Sequence, residues 1–118
     1  MAKIMIVDDA EFMRMIIKDI LLKNKHEVVA EGADGEEAIE KYKASKPEII
    51  LLDIVMPKME GVEALQKILE IDPEAKVVMC SSIGQQSVVK DALKIGAKDF
   101  IVKPFESANV LEVIEKVL

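Results

Sequence analysis

The chain has 118 residues, a formal net charge of −6 and a hydrophobic share of 51%. That length holds one domain, able to bury roughly two thirds of its unfolded surface and to fold without staples, and the acidic balance, with Lys and Glu interspersed, excludes a general nucleic-acid binder. Cys80, the single cysteine, excludes an internal disulfide and fits a reducing cytoplasm, and no apolar run nears the ~20 residues of a membrane span.

With no Trp, one Tyr and three Phe, the core must come from Ile, Val, Leu, Met and Ala. Met1-Ala2-Lys3 leads straight into Ile4-Met5-Ile6-Val7, a buried strand, so no signal peptide is expected. Phe12 to Leu22 carries Met13, Ile16, Ile17 and Ile20 at helical spacing and ends at Lys23-Asn24-Lys25. Glu27 to Glu31 alternates as a more exposed strand. Asp34 followed by Glu37 resembles a capping box and opens a helix through Tyr42, with Lys41 and Lys43 at its end as the helix dipole prefers.

Pro47 punctuates before the third strand, Ile49-Ile50-Leu51-Leu52. Val62, Leu65, Ile68 and Leu69 stripe a third helix closed by Asp72-Pro73. Val77 to Cys80 is a fourth strand, and Val88, Ala92 and Ile95 stripe a fourth helix with Gly96 as its left-handed C-terminal residue. Phe100-Ile101-Val102 is a fifth strand, and Val110, Ile114 and Val117 mark a last helix. This alternation predicts an α/β fold: one doubly wound, five-stranded parallel sheet flanked by five helices. A flavodoxin-like strand order follows by analogy.

Sites in such sheets form at the carboxyl ends of the strands. Asp8-Asp9 follow the first strand, Asp53 the third, Ser81-Ser82 the fourth and Lys103 the fifth. Singly, each has a bland explanation: a turn with a helix cap, a loop residue, a cap hydroxyl, a snorkelling lysine. Their coincidence at one rim weakens all four. Clustered carboxylates repel by about 1–4 kcal/mol per pair at realistic dielectric. Hard oxygens without Cys or His suit Mg²⁺, and His26 lies elsewhere, which excludes a His-rich zinc site. A metal beside Lys103 is a site for a phosphoryl group. Walker, dinucleotide, HExxH and nucleophile-elbow motifs are absent.

Ile6-Val7-Asp8-Asp9, Leu51-Leu52-Asp53-Ile54-Val55-Met56-Pro57, Gly96-Ala97-Lys98-Asp99-Phe100 and Val102-Lys103-Pro104-Phe105 resemble the signature blocks of response-regulator receiver domains. The resemblance spans the chain, with residues 1–118 expected to form one receiver and no DNA-binding output domain. It implies Asp53 as phosphoryl acceptor, Asp9 and Asp53 as direct Mg²⁺ ligands, Asp8 through water, and the Val55 carbonyl completing the set. Lys103 would neutralise the phosphoryl oxygens, with a cis bond to Pro104. Ser81 would contact the phosphoryl group and move with Phe100, which stands where many members carry Tyr. Val55 and Ile83 would flank the attacking water, and their apolar side chains predict slow self-dephosphorylation.

Asp8-Asp9-Ala10-Glu11-Phe12-Met13-Arg14 and Cys80-Ser81-Ser82-Ile83-Gly84-Gln85-Gln86 are most similar to free-standing chemotaxis regulators of non-enteric bacterial and archaeal type. The implied partners are a chemotaxis histidine kinase, a flagellar switch protein or archaellum adaptor, and a phosphatase. A cytoplasmic monomer is expected, with Val89, Lys90, Phe100 and Val102 as candidate partner contacts. A phosphorelay intermediate, a phosphate-independent pseudo-receiver and a Mg²⁺-dependent phosphohydrolase are the alternatives. The last lacks the second Asp two residues after the nucleophile, where Val55 stands, and the pseudo-receiver should have lost an acidic or Lys position, whereas none is missing.

Overall fold

The computed structural model describes residues 2–118. Strands and helices alternate along the described residues. The strands are β1 (Lys3–Val7), β2 (Glu27–Gly32), β3 (Ile49–Asp53), β4 (Val77–Ser81) and β5 (Asp99–Val102). The helices are α1 (Glu11–Lys23), α2 (Gly35–Ser45), α3 (Gly61–Ile71), α4 (Gln86–Ile95) and α5 (Ser107–Val117). The strands form one parallel sheet in the order β2-β1-β3-β4-β5. That is the flavodoxin-like order expected by analogy.

Successive side chains of a strand face opposite ways, so the sheet feeds two cores. Met5, Val7, Ile50, Leu52, Val77 and Met79 pack with residues of α2, α3 and α4, including Ala38, Leu65 and Ala92. Ile4, Ile6, Ile49, Leu51, Val78 and Cys80 pack instead with Ile17 and Leu21 of α1 and with Val110, Val113 and Ile114 of α5. Every residue of β3 and β4 is buried, which is why both read as unbroken apolar runs. Edge strand β2 is mostly half-buried, matching its mixed composition.

The capping box forms. The Glu37 amide donates to Asp34 Oδ1 at 2.8 Å, and Glu37 Oε1 accepts from the Ala33 amide at 2.9 Å. Beyond Tyr42, helix α2 runs to Ser45 and stops at Lys46, a left-handed residue with φ 45°. No glycine marks that end, so the sequence pattern stops one turn short. Gly96 ends α4 with φ 140°, a backbone that side chains rarely adopt. No helix among the described residues is long and apolar enough to cross a membrane.

Candidate functional site

The carboxyl ends of β1, β3, β4 and β5 converge as the strand-end reading predicts. Asp8 and Asp53 are buried and Asp9 is exposed, and each offers one carboxylate oxygen within 4.8 Å of the others. Lys103 Nζ lies 2.8 Å from Asp8 Oδ2 and 3.2 Å from Asp53 Oδ1. The ammonium meets Asp8 Oδ2 as a charge only, because that buried oxygen receives no well-aligned hydrogen bond. Among the described residues, Lys103 is the one side-chain cation paired with the Asp8 and Asp53 carboxylates, and Asp9 has none.

Backbone geometry fixes the acids. The Asp8 amide donates to the Gly32 carbonyl at 3.1 Å, and Asp8 Oδ1 accepts from the Ala10 amide at 2.9 Å. Asp53 Oδ1 accepts from the Ile54 amide at 2.9 Å. The Lys103 amide donates to the Ser81 carbonyl at 2.7 Å, and the Lys103–Pro104 bond is cis as expected from the resemblance. The segment after Asp53 closes where the Gly61 amide donates to the Ile54 carbonyl at 2.7 Å. A Cβ at position 61 would stand 2.1 Å from the Asp53 carbonyl oxygen, so only glycine fits there.

The charges answer this crowding. Burial and the neighbouring Asp8 charge push the Asp53 carboxyl up to about 6, against the pull of Lys103 and the Ile54 amide. Burial disfavours the Lys103 ammonium, but Asp8 and Asp53 outweigh it and hold its pKa above the ordinary value. Burial, aided by Asp53, raises the Cys80 thiol, so it behaves as a small core residue and not a nucleophile. Hard oxygens in excess of cationic partners, one of them lacking a directed hydrogen bond, fit a divalent ion of the magnesium kind.

Residues 4–115 match the family of the response regulator receiver domain. The chain belongs to that family. This receiver is 58% identical to the chemotaxis protein CheY of Bacillus subtilis over 116 residues, covering 98% of this chain and 97% of that protein. It is 53% identical to the chemotaxis protein CheY of Thermotoga maritima over 115 residues, covering 98% and 96% of the two chains. A chain in the crystal structure of the CheX–CheY–BeF3–Mg²⁺ complex from Borrelia burgdorferi superposes with a TM-score of 0.93 at 42% identity, covering 98% of this receiver and 87% of that chain. The receiver is thus closely related to the CheY chemotaxis response regulators of two-component signalling.

Val55 and Ile83 are exposed, with Ile83 retaining 82% of its free surface. Ser81, Ile83, Val89, Lys90, Phe100 and Val102 line one open groove of about 450 Å³ between α4 and β5. His26 stands apart, its Nδ1 accepting from the Ala2 amide at 3.0 Å. The pattern along the chain overlooked Arg14, whose Nη1 donates to the Asp8 carbonyl at 2.5 Å while Nε donates to Glu31 Oε1 at 3.2 Å. Its one legible signal was its place in α1 one turn beyond Ala10, immediately after the acid pair.

Proposed function

We propose that this receiver accepts a phosphoryl group on Asp53 with Mg²⁺ and relays a chemotaxis signal from a histidine kinase to a motor component. The observation that carries the reading is three carboxylates, each with an oxygen within 4.8 Å of the others, of which two share the Lys103 ammonium. Asp8, Asp9, Asp53 and the Val55 carbonyl would hold the ion. When bound, it neutralises phosphoryl oxygens and the charge that grows on them in transfer.

The carboxylate of Asp53 attacks phosphorus of a phosphohistidine. A P–O bond to Asp53 forms as the P–N bond breaks, and the electron pair leaves with the imidazole, which is restored to its neutral form by solvent proton exchange. With acetyl phosphate the same attack releases acetate. Lys103, already beside Asp53, pairs with the incoming oxygens. Water later cleaves the acyl phosphate and returns inorganic phosphate and the Asp53 carboxylate. The chemistry therefore ends at self-phosphorylation and self-dephosphorylation, and the product is a signal instead of a turned-over substrate.

Phosphorylation adds about −1.5 to −2 charge at one point. The Ser81 hydroxyl gains a charge-assisted bond in that state alone, Lys103 shifts from the Asp53 carboxylate to the phosphoryl oxygens, and such differential contact shifts a two-state equilibrium. Ser81 and Phe100 line the same groove, so movement at the hydroxyl reaches the face that also carries Val89, Lys90 and Val102. A flagellar switch protein or an archaellum adaptor would read that face, and a phosphatase would reset the acyl phosphate. Phe100 has no hydroxyl, so its movement is driven by packing. Residues 1–118 act as one receiver unit in this scheme.

Incubating the protein with acetyl phosphate, with and without Mg²⁺, and weighing it intact tests the reading. Wild type should gain one phosphoryl group only with the ion, and Asp53→Ala none. Beryllofluoride should then raise affinity for a motor-protein peptide in wild type alone. Sustained turnover of phosphate esters would overturn the signalling assignment in favour of a hydrolase.

A further inference from the structure

Asp9 poses a problem that its own side chain does not solve. It is exposed, and among the described residues its carboxylate takes part in no hydrogen bond or ion pair with the protein. Asp8, by contrast, is held at its amide by Gly32, at its carboxylate by Ala10 and Lys103, and at its carbonyl by Arg14. The direction in which Asp9 projects is therefore set by the backbone that carries it. The Asp8 carbonyl and the Asp9 amide share one rigid peptide plane. Whatever fixes that carbonyl fixes the plane, and with it the start of the Asp9 side chain.

Arg14 does this from two sides. Its planar guanidinium spans the Asp8 carbonyl at 2.5 Å and Glu31 Oε1 at 3.2 Å, with 16% of the arginine side chain exposed. A rigid fork anchored at one prong transmits orientation to the other, which a flexible ammonium does poorly. Glu31 is itself secured: Lys18 Nζ lies 2.8 Å from Oε2, and Lys41 Nζ donates to the Glu31 carbonyl at 2.6 Å. Lys18, with Arg14, also holds the Glu31 carboxyl below its ordinary range against the effect of burial. The chain of contact runs from the edge strand β2, through α1, to the peptide between the two acids.

We propose that Arg14, oriented by Glu31, is a positioning residue for the magnesium site, locking the Asp8–Asp9 peptide so that Asp9 faces Asp53. This rests on the reading that these acids hold Mg²⁺. The competing description is an ion pair that steadies α1 against β2 and nothing more. Electrostatics separates the two. Removing a cation from the neighbourhood of three carboxylates should tighten a divalent ion if only charge matters, whereas loss of a group that orients a metal ligand typically weakens the metal 10- to 100-fold.

Calorimetric Mg²⁺ titration of wild type, Arg14→Gln, Arg14→Lys, Glu31→Gln, Lys18→Gln and Asp9→Asn tests the proposal. Far-UV circular dichroism checks that each variant is folded. Amide hydrogen exchange at Asp9 and Ala10 in EDTA gives a readout that needs no metal. Arg14→Gln should weaken Mg²⁺ about 10-fold and speed exchange at Asp9. Arg14→Lys should recover part of the affinity, and Glu31→Gln should weaken it less than Arg14→Gln. Lys18→Gln removes a contact to the same carboxylate but leaves the Asp8 carbonyl alone, so it should not weaken binding. Unchanged or tighter binding in Arg14→Gln, with Asp9→Asn defective, overturns the positioning role and leaves the magnesium reading standing. Absence of Mg²⁺ binding in wild type overturns both. Should Arg14→Gln not fold, the comparison passes to amide exchange at Asp9 in EDTA for Glu31→Gln and Lys18→Gln, and equal rates overturn the proposal.

Discussion

Replacing Asp53 by Asn in the metal-free protein should stabilise it, and the size follows from the electrostatics of the site. In the folded chain burial and Asp8 raise the Asp53 carboxyl from 3.8 to about 6, even after the help of Lys103 and the Ile54 amide. The unfolded chain loses this proton first as pH rises, so between about pH 4 and pH 6 folding stability falls. Above that window both states are ionised and the loss is complete. At 1.36 kcal/mol for each pH unit separating the two values it amounts to about 3 kcal/mol. Asn keeps an oxygen for the Ile54 amide and resembles the protonated acid, so Asp53→Asn does not incur this loss. With no Trp in the chain, urea unfolding in EDTA would be followed by far-UV circular dichroism. The variant should match wild type near pH 4 and exceed it by about 3 kcal/mol at pH 8. Saturating Mg²⁺ should narrow that gap, because ion binding adds stability to wild type by mass action. A gap independent of pH, or a variant no more stable than wild type at pH 8, would refute the assignment of Asp53 as the strained member of the cluster.

Other perturbations have signs fixed by the same geometry. Lys103→Met leaves Asp8 and Asp53 without their shared cation, and should cost on the order of 3 kcal/mol in metal-free protein at pH 8. Much of that should return near pH 5, when Asp53 takes a proton, as urea midpoints at the two pH values would show. Gly61→Ala places a methyl group 2.1 Å from the Asp53 carbonyl oxygen, and should cost about 1–3 kcal/mol of stability through overpacking. Its Mg²⁺ affinity by calorimetry should fall as well. Val55→Asn puts a polar group two residues beyond the proposed acceptor, where the exposed valine offers none; loss of the acyl phosphate, timed by intact mass after removal of the donor, should accelerate, and an unchanged lifetime would count against a water-directing role for this position.

Much of the fold was legible because burial on both faces leaves a strong mark. Ile49 to Leu52 and Val77 to Cys80 are unbroken apolar runs because β3 and β4 are covered on both sides. The end of α2 was not legible, since its stop is Lys46 in a left-handed conformation and lysine carries no signal for one. Within the site, Asp8, Asp9, Asp53 and Lys103 could be gathered from strand ends alone, because a parallel sheet presents all those ends at one edge. Their imbalance of charge was also foreseeable, though not that Lys103 would sit between Asp8 and Asp53 and leave Asp9 to solvent.

What stayed hidden is the part that depends on distance between chain segments. Arg14 and Glu31 lie 17 residues apart on a helix and an edge strand, and either alone reads as a solvated surface charge. Helical periodicity places Arg14 on α1 without saying that its fork reaches back to a carbonyl at the end of β1. Gly61 is similar: as a residue opening a helix it is unremarked, and only the approach of its Cα to the Asp53 carbonyl makes it obligatory. Both meet the acids' backbone and not their carboxylates, and backbone contacts leave no residue-type pattern at the receiving end. The acids of the proposed site are therefore visible in this sequence, while the groups packed against their backbone become visible only once the sheet edge is assembled.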